Sequence, residues 1–362
     1  MPSRLPLWVA TIALLLDLLL STRLARADAL DDALASRCAS EPRLGETASL
    51  LLREHDPIDR EALRRDSERH GVFAPSVRAW VARGGIDAVG ASASAWLANQ
   101  NTQTTWARCA VARDGDLAAI VLVPRVATVE GTFTSAALDE HRAFRVTLPA
   151  GAHAPTCMLE SPDGSVSRCA LDDVRFETPG SYAIQVLAET SRGPMPFATW
   201  HIHAGSGTVT VREGADVVAQ PTNAFQVLAA INRVRTRAGR ETLRVDPMLA
   251  ELARARATML AARGEVAHGL RRDDSPVTRL ASAGISAERV AENVARARSV
   301  AEASARLDAS PSHRANRIDE TVDAVGIGIA NVGGDVYLVE LYAARPHIAA
   351  ARTSGDTEPE GN

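Results

Sequence analysis

Lysine is absent: all 40 basic residues among the 362 are arginine. That excludes Schiff-base chemistry on an enzyme lysine, a lysine-bearing phosphate loop and a Ser/Lys dyad. A basic excess is missing as well. Forty basic residues face 44 acidic ones for a formal net charge of -4, where a nucleic-acid binder gathers positive charge on one face. The arginines read as biased composition on a solvated surface. Long apolar runs are missing beyond the start of the chain, and none there reaches the ~20 residues of a spanning helix.

That start has the layout of a secretory signal. Arg4 precedes an apolar run from Leu5 to Leu20, and small residues end in Ala25-Arg26-Ala27, so cleavage is expected after Ala27 with the mature chain beginning near Asp28. Asp17, Arg23 and Arg26 interrupt the pattern. No cysteine stands at the cleavage point to carry a lipid. The expectation is an exported protein, periplasmic or extracellular, with no stable membrane span.

Export gives the four cysteines, Cys38, Cys109, Cys157 and Cys169, a structural reading, because an oxidising compartment makes disulfides the default. Three pairings are open. The segment between Cys157 and Cys169 carries a Pro162-Asp163-Gly164 turn between strand-like runs. A hairpin would join those two sulfurs and leave Cys38 with Cys109. Neither spacing is that of a zinc knuckle or a Cys-x-x-Cys redox pair.

The texture changes twice along the chain. Residues 28–126 read as helices over Asp28 to Ser36, through Leu50, Leu51, Leu52 and Ala62, and over Val77 to Ala82, ending in a strand from Leu117 to Val123. Residues 127–205 alternate and are rich in Thr, Val and Phe, which predicts a small antiparallel β-sandwich. A linker follows over 206–222, with a short strand at Thr208 to Val211. Residues 223–345 turn helical again. Asp246-Pro247, Ser275-Pro276 and Ser310-Pro311 each open a helix, and Gly264 and Gly284 close the first two. Met248, Leu252, Ala255, Met259 and Ala262 fall on one helix face at heptad-like spacing. Two strands, Ala324 to Asn331 and Val336 to Ala343, flank Gly333-Gly334-Asp335 as a hairpin. Residues 346–362 form a polar tail read as disordered. The fold class is α+β.

Four places in the last segment combine chemistry-bearing residues with an element boundary: His268 past a helix end, Glu292 with Asn293 near a helix start, His313 in SPSHRAN, and Glu340 in the last strand. Two imidazoles and a carboxylate can bind a divalent metal, and an imidazole with a carboxylate can exchange a proton. Their spacing matches no compact ligand motif.

The order of the pieces adds information. NAFQVLAAINRVRTRAGRETLRVDPMLAELARARATML, AHGLRRDDSPVTRLASAGIS, AEN at Ala291 to Asn293, SPSHRANRID at Ser310 to Asp319, and VGIGIA with VYLVELYA occur in sequence. This run from Asn223 to Ala343 resembles the CAP superfamily of cysteine-rich secretory, antigen 5 and pathogenesis-related proteins, in particular its bacterial SCP-like branch. The resemblance implies an α-β-α sandwich with a cleft lined by His268, Glu292 and His313, joined by Asn293 and Glu340. It implies Zn2+ or another divalent ion as a cofactor such a cleft can hold, on His268 and His313. It also implies binding of a lipid, small molecule or cell-envelope or protein partner ahead of enzymatic activity. Ala291 replaces the family's glycine, Val266-Ala267 its aromatic, and Glu340 a common glutamine. The usual tryptophan is missing from Ser299 to Leu307, and a second glutamate ligand has no counterpart.

A fainter echo lies upstream. Ala74 to Ile86 followed by Arg108 to Arg125 parallels the second Pro-led helix and terminal hairpin, which suggests a degenerate first CAP-like copy held by Cys38 and Cys109. His55 and His70 read as surface residues, and His201 with His203 as a solvated or packed strand face. Three functions follow in order: a secreted binding module, a structural envelope protein with an inactive cleft, and a metal-dependent hydrolase with Glu292 as general base.

Overall fold

The computed structural model describes residues 30, 34–53, 60–98, 100, 107–124, 126–133, 135–208, 220–270 and 273–344. The apolar run, the cleavage site, most of the helix expected over 28–36, His55, residues 209–211 of the expected linker strand and the tail lie outside them. Two compact units are present, Met1–Thr190 with Pro194–Val211, and Ser191–Gly193 with Arg212–Asn362.

The first unit opens on β1 (Ala39–Ser40), α1 (Gly45–Arg53), α2 (Arg60–Arg69), β2 (Arg78–Arg83), α3 (Ile86–Ala98), β3 (Ala107–Asp114) and β4 (Leu117–Pro124). The strands form one sheet in the order β1-β3-β4-β2, with β1 parallel to β3 and the other pairs antiparallel. The apolar run of β4 is buried on both faces. Ala119, Val121 and Val123 pack with Leu44 and with Ala48 and Leu51 of α1, while Ile120 and Leu122 pack with Val89, Ala93 and Leu97 of α3. Cys38 and Cys109 form a disulfide across the β1 edge with Cα atoms 5.9 Å apart. The helix expected over Val77 to Ala82 is strand β2 instead. It runs beside β4 from Arg78↔Leu122 to Arg83↔Leu117, because a central apolar strand needs a ladder partner on each side and Trp80 and Val81 suit one.

The same unit continues through β5 (Thr128–Glu130), β6 (His141–Arg142), β7 (Arg145–Thr147), β8 (His153–Glu160), β9 (Val166–Cys169), β10 (Val174–Arg175), β11 (Gly180–Glu189) and β12 (Met195–Ala204). A four-stranded antiparallel sheet, β12-β11-β8-β9, and two two-stranded ladders, β5-β7 and β6-β10, share one core of Phe144, Phe176, Tyr182 and Trp200. Cys157 and Cys169 face each other in the β8–β9 hairpin and are bonded, as the turn between them predicts. Backbone hydrogen bonds from Ala127 to Phe197, from Thr199 to Phe73 and from Ala136 to His203 occupy the outer edge of β12. His201 is packed: Glu68 of α2 accepts from its backbone N–H at 2.6 Å and faces its Nδ1 at 3.1 Å, with Arg64 on the same carboxylate.

The second unit comprises α4 (Ala224–Arg237), β13 (Arg244–Val245), α5 (Pro247–Arg263), α6 (Pro276–Ser282), β14 (Arg289–Ala297), α7 (Val300–Ala309), α8 (Pro311–Ile318), β15 (Ala324–Val332) and β16 (Asp335–Ala344). The predicted punctuation is present. The Asp246 carboxylate accepts from the Met248 and Leu249 N–H groups, Ser275 accepts from Thr278, and Gly264 caps α5 at φ 65°. Gly333 and Gly334, at φ 60° and 81°, supply the left-handed pair that a two-residue hairpin demands. The sheet order is β13-β15-β16-β14. Leu249, Ala253, Ala257 and Leu260 of α5 with Leu280 of α6 cover one face, and Val227 and Ile231 of α4 with Ala303 and Leu307 of α7 cover the other.

One apolar stripe turns outward here, and one expectation fails. The stripe through Met248, Leu252, Ala255, Met259 and Ala262 does not face the core, and Met248 and Met259 are 47% and 39% exposed. Glycine decides which face turns inward. A Cβ on Gly326 would lie 2.1 Å from the Leu249 carbonyl carbon, and one on Gly328 2.1 Å from the Ala253 oxygen. The helix backbone therefore rests on β15 at Leu249 and Ala253, where a glycine on the strand leaves room for it. Glu292 and Asn293 lie mid-strand in β14, not at a helix start. Pairing with β16 from Arg289↔Ala344 to Ala297↔Val336 overrides the helical propensity of an Ala/Arg-rich segment.

Candidate functional site

Strand geometry divides the candidate residues. Successive side chains on a strand point to opposite faces, so Glu292 and Asn293 serve different layers. Glu292, 5% exposed, turns toward α5 and α6. Its Oε1 meets His268 Nδ1 at 3.1 Å, and its Oε2 accepts from Nη2 of Arg279. Gly264 ends α5, and His268 follows four residues later. Arg279 lies one turn beyond the Ser275 cap, on α6. Its Nη1 donates to Asp274 Oδ1 at 2.8 Å and to the backbone oxygens of His268 and Asp274 at 3.2 Å each. Asp274 Oδ2 accepts from Arg256 Nη1 at 2.8 Å and from the Leu270 N–H at 3.0 Å, and Arg256 Nη2 donates to the Ala267 carbonyl.

The charges in this cluster balance, two guanidiniums against two carboxylates. Burial raises the Asp274 carboxyl pKa, but hydrogen bonds from Arg279 and the Leu270 amide and the charges of Arg256 and Arg279 outweigh it and hold the carboxyl below its ordinary value. Burial, followed by the charge of Arg279, pushes Arg256 down. The His268 side chain is 22% exposed, Arg279 15%, Asp274 13%, and Glu292 and Arg256 1% each. The imidazole is thus the member a ligand meets first.

Asn293 and Glu340 are fully buried on the opposite face. Glu340 accepts from Arg317 Nη2 at 2.5 Å, from the Tyr342 hydroxyl at 2.7 Å and from Asn293 Nδ2 at 2.9 Å. Asn293 also donates to the His313 carbonyl at 3.0 Å, so this network anchors the α8 backbone. His313 pairs through Nδ1 with Ser310 Oγ at 2.8 Å. Burial and then the His268 charge lower its pKa to about 3, which leaves the ring neutral near pH 7.

These donors do not fit the divalent metal that the family resemblance implies. Both oxygens of Glu292 are engaged, one by a guanidinium. Glu340 is engaged by Arg317, Tyr342 and Asn293. Among the described residues no group of three or more His, Cys, Asp or Glu side chains is placed to hold a metal ion. As it stands, the site offers an imidazole polarised by a carboxylate, which can hydrogen-bond or exchange a proton. Arg279, Asp274 and Arg256 escape sequence reasoning, since nothing sets these two arginines apart among 40. The one available signal is that Asp274 directly precedes the Ser275 cap. His201 pairs instead with Glu68 and Arg64 of the first unit, and His203 faces Ser181 Oγ and the Ser206 carbonyl.

Among the described residues no helix is long and apolar enough to cross a membrane. No curated protein matches the chain. Among solved structures it is similar to an extracellular protein containing an SCP domain from Bacillus anthracis, at 15% identity over 47% of this chain and 66% of that one, with a TM-score of 0.32. It is also similar to an outer surface protein from Borrelia burgdorferi, at 21% over 33% and 90%, with a TM-score of 0.31. A cysteine-rich secretory protein from Staphylococcus aureus aligns at 15% over 51% and 65%, with a TM-score of 0.29. The chain thus spans about two thirds of the length of the first and third. The model of the cysteine-rich secretory protein family matches residues 228–342, the segment that holds this site, and the chain carries a CAP domain there.

Proposed function

We propose that this is an exported CAP-domain protein that binds a ligand, lipid or envelope partner at the cleft beside His268. The observation that carries the reading is the fixed His268–Glu292 pair, whose carboxylate is buried and whose imidazole is the most exposed member of its cluster. A buried carboxylate that orients an accessible imidazole gives a recognition group of defined direction. The Asn293–Glu340 network supports the cleft from the other face of the sheet and holds the His313 backbone, while the His313 ring is near enough to feel the His268 charge. Two disulfides and the signal-like run at the start support export. Residues 127–205 serve as a β-sandwich spacer, and residues 28–126 are a degenerate first copy of the CAP fold.

The test is co-sedimentation of the purified chain with phosphatidylglycerol vesicles and with isolated cell-wall sacculi, in chelator, for wild type and His268→Ala. A ~10-fold or greater loss of binding in the variant, at unchanged circular dichroism, is expected if the imidazole is a central contact. Equal binding by the two proteins would remove His268 from the binding surface. Amino-terminal sequencing of the exported chain checks the start near Asp28.

A further inference from the structure

A cation already sits where a metal would act. Glu292 is a buried carboxylate in contact with His268, and Arg279 binds its second oxygen. The same guanidinium reaches Asp274 and the His268 backbone oxygen. It therefore neutralises the carboxylate and fixes the loop that carries the imidazole, the two tasks a bound metal would perform. Arg256 completes the balance through Asp274. A divalent ion placed on Glu292 and His268 would stand beside two guanidiniums with no carboxylate charge left to compensate it. Guanidinium stays charged at every working pH, so nothing short of displacing Arg279 frees that oxygen.

We infer that Arg279 is the resident cation of this cleft, and that the site binds its ligand through the polarised His268 imidazole without a divalent metal. The inference rests on the cleft being a binding site and deepens that reading. Ligands of the matching class carry a hydroxyl, amide or other hydrogen-bonding group and need no Lewis acid. Arg279 is accordingly a positioning residue, acting through Glu292 and the His268 loop.

The test is calorimetric titration of the chelator-stripped full chain with zinc chloride, for wild type, His268→Ala, Arg279→Lys and Arg279→Gln. Wild type and His268→Ala are expected to give the same isotherm, since zinc taken up elsewhere on the chain is common to both. Arg279→Gln frees the carboxylate and is expected to gain zinc affinity by ~10-fold or more, the size of effect that partners of metal ligands command. Adding His268→Ala should abolish the gain, and Arg279→Lys, which keeps the charge, should not show it. Zinc binding by wild type that His268→Ala removes would overturn the inference, and that comparison holds even if Arg279→Gln does not fold. A folded Arg279→Gln that binds no more zinc than wild type would overturn it too. Partner binding is read in chelator, so zinc uptake at His268 would sink this inference while leaving the cleft reading intact.

Discussion

A buried arginine must find acceptors for a planar fork of donors, and this chain meets that demand with carboxylates and backbone carbonyls. Arg317 is fully buried and grips both oxygens of Glu340, and Arg235 reaches the carbonyls of Glu241, Arg317 and Asp319. An ammonium, with three donors on one atom, could not match this planar five-donor fork in reach or geometry, which gives the all-arginine composition a structural use inside the fold. Glu340→Gln removes one charge of a buried pair and should cost about 3 kcal/mol, because Arg317 then keeps only the Asp308 carboxylate, 3.8 Å away and shared with Arg314; urea unfolding of the purified variant checks it. Glu68 offers a pH test. Burial raises its pKa, but hydrogen bonding and charge from His201 and the charge of Arg64 outweigh this, so the carboxyl lies below its usual 4.5. A folded value under the unfolded one stabilises the protein above pH 4.5, and that stability is lost as pH falls through the lowered value. Glu68→Gln should lower the urea midpoint at neutral pH and flatten its fall in acid; an unchanged acid limb would remove Glu68 from the balance. His268 and Glu292 are legible as candidates through residue type and family resemblance, although Glu292 lies in a strand and not at a helix start. Arg279 is not, because its role depends on a carboxylate 13 residues away on another element.

Local chemistry explains which elements could be read in advance. The Asp246 and Ser275 caps, the Gly264 terminus and the Gly333-Gly334 turn each act within a few residues, and each occurs where the sequence placed it. The strand identity of β2 and β14, which local patterning presents as helix, depends on partners far along the chain, and so does the inward face of α5. One apolar stripe on α5 carries both methionines, yet Gly326 and Gly328 seat the helix backbone at Leu249 and Ala253 and turn that stripe outward. Gly326→Ala tests this directly. Its new Cβ would meet Leu249 backbone at 2.1 Å, and backbone cannot swing aside as a side chain end can. The expected loss is about 3 kcal/mol or more. Gly284→Ala, at φ 73° with open space around it, should cost only ~1 kcal/mol of backbone strain. Thermal unfolding of both variants decides, and equal losses would mean that the helix is not seated on the glycines.

At the scale of the whole chain, the first sheet of one unit and the sheet of the other share one topology. β1-β3-β4-β2 and β13-β15-β16-β14 each have a two-residue parallel edge strand, a central hairpin and an antiparallel outer strand. The parallel registers Ala39↔Arg108 and Arg244↔Ala324 set the two sheets in correspondence. Followed across the ladders, Gly326 and Gly328 then correspond to Ala110 and Ala112, small residues again, with α1 packed on their face as α5 packs on the glycines. Glu292, Asn293 and Glu340 correspond to Ala79, Trp80 and Ile120. A first copy built this way keeps the scaffold and lacks the polar site. The upstream echo in the sequence pointed to such a copy but rested on a Pro-led helix that is a strand, so the likeness lies in register and not in motif. The correspondence makes a construction test possible. Cys38 and Cys109 match Leu243 and Val325, which are 3% and 0% exposed. If the copies share geometry, Leu243→Cys with Val325→Cys should close a third disulfide in air and leave no free thiol. Closure should stabilise the second unit by about 2–4 kcal/mol, less the packing lost from two apolar side chains. Thiol titration of the denatured double variant, with and without reductant, reads the outcome. Two thiols that stay reduced in an otherwise folded protein would mean that the units share strand order without sharing geometry, and the degenerate-copy proposal would fall.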